Sequence, residues 1–360
     1  MVGLIKAISR LTVLFLLLVV VFIQTAFSID GIIDINSKNI NIKTNPKRII
    51  VIGPGALRLV TIMGLEDKLV GIERIERKAI GFSEYRTILG KKRIESLPII
   101  GAGGPGKLPN LEKIIMLNPD IIIASFIDKK QLKLILNKTH KPIVLLSYGF
   151  GYGGDEPKLK AIKKSIMLLG RIFNKESRAK ALVEFMKTQE EELKEYKIPN
   201  LKIYIGGIGY KGAHGITSTE KHYLPFELLG ITNPLTKNAR GNHLFVQEEA
   251  LIRQDPDIIF LDMFGKKIIE EEFKNKRALY ESLKAYKNRR IYWLLPYNFY
   301  NTNIANVYID SWIILSRLGY NIDLKSKMVE IYNAFYPNGA EKLIKTRYPI
   351  KKFEWFSNNH

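Results

Sequence analysis

The 360 residues contain no cysteine. That one fact excludes disulfides, thiolate metal sites, iron–sulfur clusters and a lipid-modified cysteine behind a leader. Gly-x-Ser-x-Gly is missing as well, so neither common signature of a covalent nucleophile is present. Histidine is scarce. His140, His214, His222, His243 and His360 are too spread for a local ligand motif, and no His-x-x-x-His occurs. His214, His222 and His243 could still converge in the second half of the chain, joined by Tyr210 or Tyr223. No resident metal, no cofactor and no catalytic residue is expected.

Acidic residues are also in short supply, 35 against 56 Lys and Arg, for a net charge of +21. A basic balance suits nucleic acid, an anionic membrane surface or an anionic ligand. No nucleic-acid motif accompanies the charge, and the cations are scattered, as with Lys160, Lys163 and Lys164 on one helix. They read as a solvated face, and nucleic acid is rejected as a partner. Apolar residues make up 46%, enough for sizeable cores in a chain long enough for two domains.

The first residues differ in kind. Lys6 and Arg10 precede an apolar run from Leu11 to Ile23, and Ala26 and Ser28 stand at an A-x-S spacing. Residues 1–28 therefore read as a secretory signal peptide or, if uncleaved and tilted, as an N-terminal anchor. Either places the rest outside the cytoplasm. Removing them takes away only Lys6 and Arg10, leaving a charge of about +19.

From residue 45 the pattern is strand, turn, helix. Continuous apolar strands at Arg48–Ile52, Leu69–Ile72, Ile121–Ala124 and Ile143–Leu146 alternate with helices such as Ala56–Met63 and Lys129–Lys138. Such strands predict a parallel sheet covered on both faces. The alternation stops over 158–197, where Ser177–Lys197 reads as one long charged helix ended by Pro199. It then resumes with strands Lys202–Ile205, Ile258–Leu261 and Arg290–Leu294, and closes with helices Ile304–Leu318 and Leu324–Phe335. The expectation is an α/β fold of two parallel-sheet lobes, 45–170 and 200–340, joined by a single long backbone helix over 175–197.

A phrase repeats between the halves. Glu112 opens a short helix and lies seven residues before Pro119-Asp120 and a buried strand; Glu249 stands at the same offset from Pro256-Asp257. A first-turn Glu suits the helix dipole. That local benefit does not explain one in each half at one spacing.

With these phrases, Pro46–Val51 opening the first strand and Gly64–Gly71 after the first helix, the chain resembles the iron-siderophore and cobalamin class of periplasmic binding proteins over roughly Pro46 to Pro337. The resemblance implies the class III periplasmic-binding-protein fold, with ligand in the cleft between lobes. It implies an exported solute-binding component of an ABC importer, not an enzyme, that delivers a metal chelate (ferric siderophore, cobalamin or haem-like). It implies as partners the permease's membrane subunits, onto whose arginines one Glu per lobe docks: here Glu112 and Glu249. Glu66, Asp67 and Glu248 are competing acids nearby.

Ligands of parallel α/β sheets collect at the strands' carboxyl ends. That rule nominates Arg58, Tyr85, Arg86 and Tyr148 in the first lobe and Tyr210, Lys211, His214 and Tyr297 in the second. Around them lie Gly53–Gly55, Arg74, Gly101–Gly106, Phe126, Phe150, Met263, Phe264, Asn298 and Tyr300. The set is aromatic and cationic, suited to a catecholate or tetrapyrrole edge and to an anionic chelate. A helix hinge should allow only a few degrees of closure, and a monomer is expected. The alternative reading is an exported chelatase-like or metal-handling enzyme, or a sensor, on the same scaffold.

Overall fold

The computed structural model describes residues 32–34, 36, 45–78, 83–149, 156–237 and 239–347. The expected signal segment 1–28, Phe150 and His360 lie outside the described residues.

The first lobe is a five-stranded sheet in the order β1 (Ile32–Ile33), β5 (Ile143–Leu145), β4 (Ile121–Ala124), β2 (Ile49–Ile52) and β3 (Leu69–Gly71), parallel throughout. The second sheet runs β10 (Ile291–Leu294), β9 (Ile258–Asp262), β6 (Ile203–Gly206), again parallel. Beside it β7 (Ser218–Glu220) and β8 (His243–Phe245) form an antiparallel pair that the sequence reading did not foresee.

The central strands are buried at every position because each face meets a different core. Ile49, Val51, Ile121 and Ile123 share one apolar cluster, while the alternate residues Ile50, Ile52, Ile122 and Ala124 belong to another. In the second lobe Ile203, Ile205, Ile258 and Phe260 join that same first cluster, and Tyr204, Ile259 and Leu261 face a third. This is the period-two alternation of a strand covered on both sides. Its consequence is larger than either lobe: the inner faces of the two sheets share one continuous core. Helices Lys158–Ile172, Glu176–Lys194, Ile304–Arg317 and Leu324–Phe335 fill the space between.

Helix Glu176–Lys194 occupies the stretch between the lobes and packs side by side with helix Lys158–Ile172 before it; Asn174, left-handed at φ 53°, turns the chain between the two. The chain also crosses back. Helix Ala340–Arg347 packs on helix Glu84–Ser96 of the first lobe, and Arg178 donates to the carbonyls of both Ile62 and Phe335 at 3.2 and 3.0 Å. Among the described residues no helix is long and apolar enough to cross a membrane.

The repeated phrase is a repeated structure. Asp120 accepts the backbone N–H groups of Lys47 and Arg48, tying β4 to β2; Asp257 accepts that of Lys202, tying β9 to β6. Both preceding helices end on a left-handed residue, Asn118 and Asp255.

Candidate functional site

Loops beyond the carboxyl ends of the strands meet across the boundary between lobes, as where Asn301 donates to the Pro54 carbonyl, and they carry the nominated residues. They fall into two groups. Arg58, Tyr85, Arg86, Tyr148 and Tyr297 have no exposed surface. They do not offer a face to a ligand in this conformation, because they are bonded to one another and across the lobes.

Arg58 donates to the Phe299 carbonyl at 2.9 Å and to Asn303 Oδ1 at 2.7 Å, both from the second lobe, and lies 4.8 Å from the centre of the Tyr85 ring. Tyr148 donates to the carbonyl of Gly55. Gly55 has φ 86°, and a Cβ there would sit 2.6 Å from the Tyr148 ring, so the Gly53-Pro54-Gly55 turn is packed tight and cradles nothing. Arg86 forms a buried ion pair with Glu76 at 2.6 Å, Tyr85 donates to the same carboxylate oxygen at 2.7 Å, and Phe299 caps the guanidinium at 4.1 Å. Tyr297 accepts from Lys158, which also pairs with buried Glu220 at 3.7 Å.

Two acids that the sequence reading passed over hold this boundary. Glu73 Oε2 accepts from Gly53 N–H at 2.8 Å and from the Tyr300 hydroxyl at 2.7 Å; burial pushes its carboxyl up to about 7, against those two hydrogen bonds. Glu84 Oε1 accepts the Asn306 N–H at 3.2 Å, in the first turn of helix Ile304–Arg317. A first-lobe carboxylate thus caps a second-lobe helix. Asp262, wholly buried, is likewise pushed up to about 7 while it accepts from Phe264 and Tyr297 N–H.

The second group stays open. Tyr210 and Phe245 are largely exposed, at 44% and 54%. The Tyr210 ring lies flat on His243, with centroids 4.3 Å apart and planes at 12°, and His214 meets Phe245 edge-on at 4.8 Å. Lys211 sits 5.2 Å over the Tyr210 ring. The local cause is a tight turn: Tyr210 N–H bonds the Gly212 carbonyl, with Lys211 left-handed at φ 56°. Below the tip Gly215 packs under Glu272, where a Cβ would meet the carboxylate at 1.8 Å. Of the histidines expected to converge, His214 and His243 do so with Tyr210, at 6.3 Å between imidazoles. His222 bonds Glu227 instead, and Tyr223 is buried.

The tautomers follow from the partners. His214 Nε2 faces the Tyr210 carbonyl at 2.6 Å, which can only accept, so Nε2 carries hydrogen. Ser218 Oγ gives its own hydrogen to the Ile208 carbonyl, so His243 Nε2, 3.2 Å away, is the donor to Ser218. Burial and the neighbouring His214 push His243 down to about 4, leaving it neutral with an unprotonated Nδ1. Among the described residues no cluster of three or more His, Asp or Glu could hold a metal ion. The patch can stack on a flat aromatic guest, attract negative charge through Lys211 and lend single imidazole donors. It continues toward the first lobe through Phe264, which lies over Gly209, and through Phe299, 5.6 Å from Phe264.

On the outer surface Glu112 and Glu249 are both exposed, and neither makes an ion pair or side-chain hydrogen bond among the described residues. Of the competitors, Glu248 pairs with Lys276 and Glu66 is half-buried with its carboxyl pushed up by desolvation, whereas Asp67 is exposed as Glu112 and Glu249 are.

A family model described as periplasmic binding protein matches residues 49–297. The high-affinity heme uptake system protein IsdE of Staphylococcus aureus (strain bovine RF122 / ET3-1) is 25% identical over 266 residues, covering 71% of this chain and 79% of IsdE. Among solved structures, the molybdate-bound periplasmic binding protein MolA of Haemophilus influenzae superimposes with a TM-score of 0.64 at 15% identity, over 83% of this chain and 95% of that one. The triscatecholate siderophore binding protein FeuA of Bacillus subtilis, complexed with ferri-bacillibactin, gives 0.55 at 19% identity, over 78% and 95%. At those identities the structures share a fold.

Proposed function

We propose, from the premise that this chain belongs to the periplasmic binding protein family, that it is the extracytoplasmic solute-binding component of an ABC importer. Its solute is a metal chelate, a ferric one first, held between the lobes and released to the permease. The observation that carries the ligand class is the open platform of Tyr210 stacked on neutral His243, with His214, Phe245 and Lys211 around it. A flat, aromatic, anionic guest meets ring faces, a cation and imidazole nitrogen there. The names of IsdE and FeuA point the same way, toward haem and a ferric catecholate.

The buried group takes a supporting part in this reading. Arg58, Arg86, Tyr85, Tyr148 and Tyr297 set the spacing of the lobes, and the shared inner core keeps closure to a few degrees. Glu112 and Glu249 dock on cationic groups of the two membrane subunits; as exposed carboxylates they contribute steering and register more than affinity. The N-terminal segment exports the chain and, if retained, tethers it to the membrane.

Fluorescence titration of the purified protein against haem, a ferric tris-catecholate, cobalamin and molybdate tests the ligand class. One chelate should bind, and Tyr210→Ala should weaken it about tenfold, the worth of one lost aromatic stack. Binding of molybdate alone, or a chelate affinity indifferent to Tyr210→Ala and His243→Ala, would overturn the assignment.

A further inference from the structure

Helix Leu111–Leu117 and helix Glu248–Gln254 expose more than their acids. Counted back from Pro119 and from Pro256, a Glu stands at seven and an Ile at four in both lobes: Glu112 with Ile115, Glu249 with Ile252. A spacing of three places each pair on one helix face. The orientation is pinned, because the residue between them that faces inward, Ile114 or Leu251, is wholly buried, and because the Asp120 and Asp257 anchors fix where each helix ends.

Ile115 and Ile252 are 50% and 42% exposed, and Met116 beside the first is 77% exposed. Seven large apolar side chains are exposed among the described residues, and these two short helices hold three of them. The exposed part of each isoleucine gains nothing from folding, and its recurrence at one offset in both lobes, beside the Glu, calls for another cause. Each helix also runs antiparallel to the strand it feeds, which puts its first turn, and the Glu, at the strands' carboxyl end. Both pairs therefore lie on the cleft side of their lobes.

We propose that Ile115 and Ile252 are the apolar anchors of the permease-docking face, one beside each carboxylate. The partner that fits is a membrane protein with two matched sockets, each a cationic group next to an apolar hollow, as two copies of one subunit would offer. This rests on the docking role of Glu112 and Glu249. The division of labour follows from the chemistry: exposed charges set how fast the partners meet, and desolvated side chains set how long they stay. The sockets are not read identically, since the position after each Ile is Met116 in one lobe and Arg253 in the other.

The test uses the full chain against the importer's paired membrane subunits in nanodiscs, with binding and release timed separately. Ile115→Ser and Ile252→Ser should each speed release about tenfold and leave the on-rate unchanged, the pattern of a lost buried contact. Glu112→Gln and Glu249→Gln should slow association and flatten its salt dependence. Leu134→Ser, which removes another exposed apolar side chain, should change neither. If the Glu variants weaken docking and the Ile variants do not, the anchors are wrong and the docking acids stand. If all four dock like the parent chain, the docking reading falls as well. Self-association of the free protein that the Ile substitutions abolish would assign the two residues to a second copy of the chain and overturn the proposal.

Discussion

Tyr300 of the second lobe donates its hydroxyl to Glu73 of the first at 2.7 Å and accepts Gly104 N–H at 2.8 Å. A side chain from one lobe thus completes a hydrogen-bonding slot in the other. Tyr300→Phe keeps the ring and leaves Glu73 and Gly104 each short of a partner at a largely buried place. An unsatisfied buried group costs about 1–3 kcal/mol. Denaturant unfolding of the variant should show a loss in that range. No change would mean that the lobes do not hold one another here.

Glu73 makes stability depend on pH in a direction opposite to that of most carboxylates. Folded, it keeps its proton up to about 7; its ordinary value is 4.5. Between those values the folded state binds more protons than the unfolded one. Its contribution is therefore complete below pH 4.5 and declines as pH rises through 7. Glu73→Gln stays neutral, still accepts from Gly53 and Tyr300, and should remove a decline of up to roughly 3 kcal/mol. Unfolding midpoints at pH 5 and pH 8 check this: the gap between them should narrow in the variant. Asp262, raised by burial through the same window, accounts for slope that remains.

Arg86 was nominated as a ligand contact, and the structure gives it a different task. It is wholly buried with Glu76 as counter-ion and Phe299 over its plane. Removing one member of such a pair strands a charge in low dielectric, at about 3–5 kcal/mol. Glu76→Ala should lower stability by that much, and the double variant Arg86→Met with Glu76→Leu by less. An Arg86 variant that folded as firmly as the parent yet lost ligand would return this residue to the binding site.

The fold was legible because its signals are local. Ile49–Ile52 and Ile121–Ala124 can hardly be anything but strands buried on both faces, and Pro119-Asp120 and Pro256-Asp257 mark equivalent joints in each half. The site was legible only by position. Strand ends were the right places to look, but nothing in the sequence separates an arginine that meets solvent, such as one on an open loop, from Arg58, whose partners Phe299 and Asn303 lie some 240 residues away. The same holds for Glu73 and Glu84, whose partners Tyr300 and Asn306 come from the other lobe. His243 was visible only as one of three histidines that could converge, because its place beside Tyr210 depends on the β7–β8 pairing, three residues a strand, too short to leave a pattern. Two short helices with the same Glu and Ile offsets could have been read further than the Glu alone.

His243 offers a last and independent check. Burial and His214 hold it near 4, below the ordinary 6.5. A depressed histidine stabilises the folded state above 6.5 and loses that contribution as pH falls toward 4, since the unfolded chain takes the proton first. The ring should therefore stay neutral through mildly acid solution, keep its stack with Tyr210 and keep Nδ1 free to accept. Two-dimensional NMR of the imidazoles across pH 4 to 8 should find His243 untitrated at pH 5.5, its neutral-ring signature intact. His243 charging near 6.5 would remove the neutral donor from the platform, and with it the case for a nitrogen ligand at that position.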